Sequence, residues 1–64
     1  MVTVNGKEYD IAGKTLGEYL ADAGYCNERI AAELQGEIVP KSRYEETILK
    51  DGDVLEVVSF VGGG

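Results

Sequence analysis

A chain of 64 residues can close one hydrophobic core and has little left for an enclosed cleft beside it. A domain this short buries only about 60% of the surface its unfolded chain exposes. One small domain is therefore expected, and a self-contained enzyme is not. The residue inventory narrows the chemistry further. Histidine, the commonest general base and metal ligand, is absent, and Cys26 is the only cysteine. One thiol builds neither a four-thiolate zinc site nor an internal disulfide. An unpaired thiol fits a reducing compartment, and Met1-Val2-Thr3 opens a polar, alternating segment with no basic n-region or apolar h-region. A cytoplasmic location is expected. Apolar runs such as Val57-Val58 fall far short of the ~20 residues that span a bilayer, so no membrane association is expected. Twelve acidic against six basic side chains, a net charge of -6, would repel a phosphate backbone. A basic protein partner is expected instead of nucleic acid.

Val2-Thr3-Val4-Asn5 alternates apolar and polar residues, Asn5-Gly6 is a strong hairpin signal, and Tyr9-Asp10-Ile11 resumes the alternation. This predicts a β-hairpin. Thr15 can cap a helix while Glu18, three residues on, completes a capping box. Leu16, Tyr19, Leu20 and Ala23 then form one helical stripe, Gly24 suits the left-handed position after it, and Gly17 weakens it by roughly 1 kcal/mol. Residues 27–35 read two ways: Ile30, Ala31 and Leu34 suit a helix opened by Asn27-Glu28-Arg29, while Ile30, Ala32 and Leu34 alternate as a strand. Gln35-Gly36 followed by Glu37-Ile38-Val39 and the stop at Pro40 favours strand, turn, strand. Residues 41–50 suggest a loop with one short helical turn, held by Tyr44, Ile48 and Leu49. After the Asp51-Gly52-Asp53 turn, Val54 to Phe60 is rich in β-branched residues and forms the last strand.

The order of hairpin, helix, strand pair, loop and final strand predicts a two-layer α+β domain. The β-grasp architecture fits it: a mixed sheet of four to five strands with one main helix packed on one face. Val4, Leu20, Leu34, Val39, Leu55 and Val57 are the expected core. The domain takes residues 1–60, and residues 61–64 are expected to be a flexible, glycine-rich C-terminal tail.

One constellation has chemistry that needs those residues in that place, the terminal Gly62-Gly63-Gly64. Its reactive group is the α-carboxylate of Gly64, a poor electrophile that acyl chemistry must first activate, for instance as an acyl-adenylate. A tail without side chains at Gly63 and Gly64 can thread a narrow channel and be held there by main-chain hydrogen bonds. The bland alternative is a frayed end or flexible stub.

Five segments, in this order and at these spacings, resemble the ThiS family of ubiquitin-like β-grasp proteins, the sulfur carriers of thiamin biosynthesis. They are Val2-Thr3-Val4-Asn5-Gly6, Thr15-Leu16, Gly36-Glu37-Ile38-Val39-Pro40, Asp51-Gly52-Asp53 and Val61-Gly62-Gly63-Gly64, and together they run through essentially the whole chain. The resemblance implies that Gly64 is adenylated by an E1-like adenylyltransferase of the ThiF type, which uses ATP and magnesium that this chain does not itself bind. The adenylate would become a thiocarboxylate, whose sulfur passes to thiazole synthase of the ThiG type. Gly63 would be the required neighbour and Gly62 an added tail residue. A related carrier for molybdopterin or cysteine synthesis, and a ubiquitin-like modifier forming isopeptide bonds, share such an ending. A non-covalent interaction domain is a further alternative.

On the last strand Val54, Glu56, Val58 and Phe60 share one face, and Leu55 and Val57 share the other. With the latter pair inward, Val58 and Phe60 are exposed just before the tail, as a patch for docking partners. Phe60 covering a core edge is the competing reading. Cys26 has no local group to activate it and is read as a neutral small residue. Asp51-Gly52-Asp53 lacks the later acidic ligands of a calcium loop and is read as a turn, so no metal is expected. Glu8, Asp10, Glu18, Asp22, Glu28, Glu45 and Glu46 are read as a solvated acidic surface that can steer a basic partner. The four tyrosines are read as packing residues, and the free chain as a monomer.

Overall fold

The computed structural model describes residues 1–60. Two hairpins frame it. β1 (Val2–Val4) and β2 (Lys7–Tyr9) meet through Asn5 at φ 51° and Gly6 at φ 87°. β3 (Ile30–Leu34) and β4 (Glu37–Val39) meet through Gln35 at φ 53° and Gly36 at φ 82°. Two successive positive φ angles define the two-residue turn whose twist matches that of the flanking strands. The last strand, β5 (Val54–Ser59), enters between the hairpins, parallel to β1 and antiparallel to β3. The result is a mixed five-stranded sheet in the order β2-β1-β5-β3-β4, with β5 at its centre. This is the expected β-grasp arrangement.

Helix α1 (Leu16–Asp22) has seven residues, too few to persist by itself, and its ends and inner face are held by the rest of the chain. Glu18 N–H donates to Thr15 Oγ1 (3.1 Å) and Thr15 N–H donates to Glu18 Oε1 (3.0 Å), the expected capping box. Leu16 N–H donates to the Thr47 carbonyl (2.7 Å) and Gly17 N–H to the Tyr44 carbonyl (2.9 Å), so the loop before β5 satisfies amide groups that the helix leaves free. Leu16, Tyr19 and Leu20 are buried as the stripe requires, but Ala23 is exposed and serves as the C-cap. The helix stops one residue short of its predicted last core contact. Replacing Thr15 by alanine is expected to cost about 1 kcal/mol and lower the thermal midpoint by roughly 4–8 °C, read by circular dichroism.

Val4, Leu20, Leu55 and Val57 lie in the core as expected, while Leu34 and Val39 are only half-buried and pack against its margin. In the 41–50 loop one expectation needs correction. Ile48 does not anchor the 41–50 loop: it is 54% exposed, and Tyr44 and Leu49 alone turn inward. Ile48 bridges Thr15 in extended backbone, where adjacent side chains point to opposite sides, so burying Leu49 turns Ile48 out. Residues 27–35 take the strand expected of them from Ile30 onward, after a 3-10 turn at Asn27–Arg29. From Ile30 onward each residue has a partner on β5, and that long-range pairing overrides local helix propensity. A second 3-10 turn, Lys41–Arg43, is the short helical turn expected in the loop.

The two hairpin turns also grip β5. Asn5 continues the β1 ladder with its side chain: Val57 N–H donates to Asn5 Oδ1 (2.9 Å), and Asn5 Nδ2 donates to the Val57 carbonyl (3.1 Å). At the start of the strand, Val54 N–H donates to Gln35 Oε1 (2.9 Å) and Gln35 N–H donates to the Val54 carbonyl (2.8 Å). An amide side chain from each turn thus supplies main-chain-like pairing on either flank of the central strand.

Candidate functional site

Gly62, Gly63 and Gly64, the residues to which the sequence assigns chemistry, lie outside the described residues. What is described is the platform from which they depart. Phe60 N–H donates to the Arg29 carbonyl (2.7 Å), which carries the β3–β5 pairing one step past the end of the strand. The tail's root is therefore tied to the sheet. Four residues beyond Phe60 span at most about 14 Å when fully extended, so whatever reacts with Gly64 must approach to that distance.

The strand's alternation is as expected. Leu55 and Val57 are buried, whereas Val54, Glu56, Val58 and Phe60 are exposed, Val58 at 52% and Phe60 at 56%. Phe60 does not cover a core edge. Register extends this patch to residues that the last strand alone does not reveal: Ala31 lies opposite Val58, Glu33 opposite Glu56, and Ile38 opposite Glu33. Cross-strand partners share a face, so Ile38, 70% exposed, joins Val54 and Val58 on the side of the sheet away from α1. Its membership could have been found by pairing β3 with β4 about the Gln35-Gly36 turn.

The remaining singled-out residues have ordinary surroundings. Cys26 is exposed, and its side chain makes no capping bond to the 3-10 turn that follows. Asp51 receives the Met1 ammonium group and Asp53 Oδ2 accepts from Lys50 N–H (2.9 Å), so both carboxylates serve a turn and the chain's start. The acidic residues read as solvated are all exposed, although Glu18 also caps α1 and Asp22 pairs with Lys14 at 2.7 Å. Tyr19 is buried, which pushes its hydroxyl pKa up, and its ring stands 6.3 Å from that of Tyr9. Tyr44 is buried and Tyr25 half-buried, but Tyr9 is 40% exposed and packs on one side only. Sequence reasoning took Asn5 for a turn former and missed its bidentate hold on Val57.

A model of the ThiS family matches residues 2–64. The chain belongs to the ThiS family. It is 41% identical to the sulfur carrier protein ThiS of Bacillus subtilis over 68 aligned positions, covering 100% of both chains. It is 38% identical to the sulfur carrier protein ThiS of Thermus thermophilus, again over 100% of both. The crystal structure of the thiamine biosynthesis protein ThiS from Geobacter metallireducens superposes with a TM-score of 0.77 at 37% identity, covering 98% of this chain and 97% of that one. A thiazole synthase of Paramagnetospirillum magneticum contains a stretch 41% identical to 98% of this chain, which spans 20% of that longer protein. The same share, 20%, holds for the thiazole synthase of Magnetococcus marinus, so a ThiS-like segment and thiazole synthase occur together in single proteins.

Proposed function

We propose that this chain is a sulfur carrier of thiamin biosynthesis and that the sulfur rides on the carboxyl group of Gly64. The observation that carries the reading is membership of the ThiS family over residues 2–64, a match that includes Gly62-Gly63-Gly64. Similarity over full length to two sulfur carrier proteins adds to it. The chemistry is consistent with the chain's makeup. A carboxylate resists attack by a sulfur nucleophile, so an E1-like adenylyltransferase of the ThiF type joins it to AMP from ATP, with magnesium, and releases pyrophosphate. A sulfide-level nucleophile then displaces AMP and leaves a thiocarboxylate, with sulfur in place of one carboxylate oxygen.

The thiocarboxylate is an anionic sulfur nucleophile that stays tethered instead of diffusing as free sulfide. Thiazole synthase receives it, a partnership supported by the thiazole synthases that contain a ThiS-like segment. In this scheme the chain is a cosubstrate and not an enzyme: catalytic groups, ATP and magnesium belong to the partner, and the platform supplies recognition through Val58 and Phe60. The scheme places it in the cytoplasm, with which an exposed, unpaired Cys26 is compatible. Among the described residues no helix is long and apolar enough to cross a membrane.

The test is mass spectrometry after incubation with ATP, magnesium, the activating enzyme and sulfide. The expected product is the intact chain with one oxygen replaced by sulfur, consumed when thiazole synthase and its other substrates are added. Failure to form it with any cognate activator overturns the proposal. Ladders of lysine conjugates in lysate would instead identify a modifier.

A further inference from the structure

On the core side of the sheet, cover thins towards β4, the outermost strand. Ala32 and Leu55 are fully buried there, whereas Leu34 and Val39 are half-buried. Beside them a cleft of about 400 Å³ opens between the β3–β4 hairpin and the loop that follows it, within the size range of ligand clefts. Leu34, Val39 and Pro40 give it an apolar lining, and Glu37, Arg43 and Thr47 its polar groups. Its wall is pre-organised: Arg43 N–H donates to the Pro40 carbonyl (2.9 Å), and the Thr47 hydroxyl donates to the Arg43 carbonyl (2.6 Å). The free edge of β4 runs alongside. Leu34 and Glu37 close a two-residue turn and exchange hydrogen bonds, so the next pair, Glu33 and Ile38, does not. Ile38 therefore points its N–H and carbonyl away from β3, and no other main-chain bond among the described residues takes them up. Just past this edge stand Lys41 and Arg43, two of the six basic residues in an acidic chain. Neither belongs to the ion pairs among the described residues, which are Met1 with Asp51 and Lys14 with Asp22.

We propose that the β4 edge and this cleft bind a short, extended, acidic peptide segment of a partner protein. Three features that lie together select that occupant. The outward N–H and carbonyl of Ile38 pair with the main chain of an added strand, a recognised mode of peptide capture. Side chains on either side of the residue opposite Ile38 point to the core side of the sheet, where an aliphatic one fills the cleft over Leu34 and Val39. A carboxylate next in line meets Arg43 and Lys41, and the guanidinium can hold it through two parallel hydrogen bonds. Pro40, which has no N–H to donate, ends the edge and limits the added strand to about three residues. The other free edge, β2, offers no such charge match, because Glu8 lies on it and Asp10 follows it. The inference does not rest on the carrier reading. It uses neither the tail nor the face that bears Phe60, and β4 stands two strands, about 10 Å, from β5. A partner held at this edge leaves the root of the tail uncovered.

The test is an NMR titration of the full, nitrogen-15-labelled chain with a blocked pentapeptide, valine-threonine-valine-aspartate-aspartate, whose two valines share one face when extended. Amide shifts centred on Ile38, Val39 and Arg43 are expected to saturate with a Kd of about 1 mM or lower. Replacing the aspartates by lysines, or the valines by serines, is expected to weaken binding at least about fivefold. Ile38→Pro removes the outward donor and leaves the β3–β4 ladder intact, since proline is tolerated where an edge N–H faces solvent. It is expected to melt near the parent's midpoint and to bind at least about fivefold more weakly. Lys41→Gln with Arg43→Gln is expected to lose a similar factor and the preference for aspartate over lysine. Should Ile38→Pro unfold, the second variant decides alone. No saturating shifts up to about 10 mM, shifts centred on Lys7–Tyr9, equal binding of the lysine peptide, or unchanged affinity in either folded variant would overturn the site. Each of these outcomes leaves sulfur loading at Gly64, read separately by mass, untouched.

Discussion

With one alanine added after Gly64, the chain is expected to fold as before and to take up essentially no sulfur. The addition touches nothing in the packed body, since core, hairpins and α1 lie within residues 1–60. It moves the reactive carboxyl group about 3.5 Å farther along the tail and puts a Cβ beside it. Acyl transfer requires reacting atoms within about 3–3.5 Å in a defined alignment, and a misplacement of 1 Å can already cost about a hundredfold. A loss of at least about a thousandfold in adenylate formation is expected, read by pyrophosphate exchange and by the absence of thiocarboxylate in the mass spectrum. Circular dichroism matching the parent separates this from misfolding. Thiocarboxylate formed at the parent's rate on the extended chain would refute Gly64 as the loading site.

Asn5→Ala is expected to have the largest effect on stability of any exposed-turn substitution in this domain. It removes both side-chain bonds to Val57, leaving an amide and a carbonyl of the central strand without their partner. An unsatisfied, part-buried polar group costs about 1–3 kcal/mol, and alanine held at positive φ costs about 1 kcal/mol more. The sum is about 3 kcal/mol, against a total stability of roughly 3–10 kcal/mol for a domain of this size. The thermal midpoint should fall by about 15 °C. Asn5→Gly relieves only the backbone strain and should recover about 1 kcal/mol of the loss. Asn5→Asp keeps the acceptor for Val57 N–H and should fall between the two. A midpoint for Asn5→Ala within about 3 °C of the parent would mean that water replaces the side chain at no cost.

Local signals in this sequence reported local geometry well. Asn5-Gly6 and Gln35-Gly36 both form two-residue turns with positive φ, and Thr15 with Glu18 forms the capping box. The order of elements was then enough for the architecture, because a hairpin, one amphipathic helix and three further strands have few ways to bury their apolar faces together. Long-range pairing was less legible. Residues 27–35 suited helix or strand locally, and the turn at Gln35-Gly36 with the stop at Pro40 tipped the reading to strand. The 3-10 turn at Asn27–Arg29 left no such signal, and the pairing with β5 lies about thirty residues later. Asn5's grip on Val57 crosses 52 positions and leaves no periodic trace. Ile48 and Leu49 illustrate a third limit: two adjacent aliphatic residues in extended chain cannot both face inward, and composition does not say which one does. The glycine tail lies outside the described residues, and the exposure of Val58 and Phe60 followed from alternation alone.

Placing β5 between β1 and β3 has a mechanical consequence. Tension applied to the chain beyond Phe60 pulls along the axis of a strand bonded on both flanks. Such a load acts across many hydrogen bonds at once, where a strand at the margin could be peeled away one bond at a time. The domain thus resists unravelling from the end at which β5 leaves the sheet.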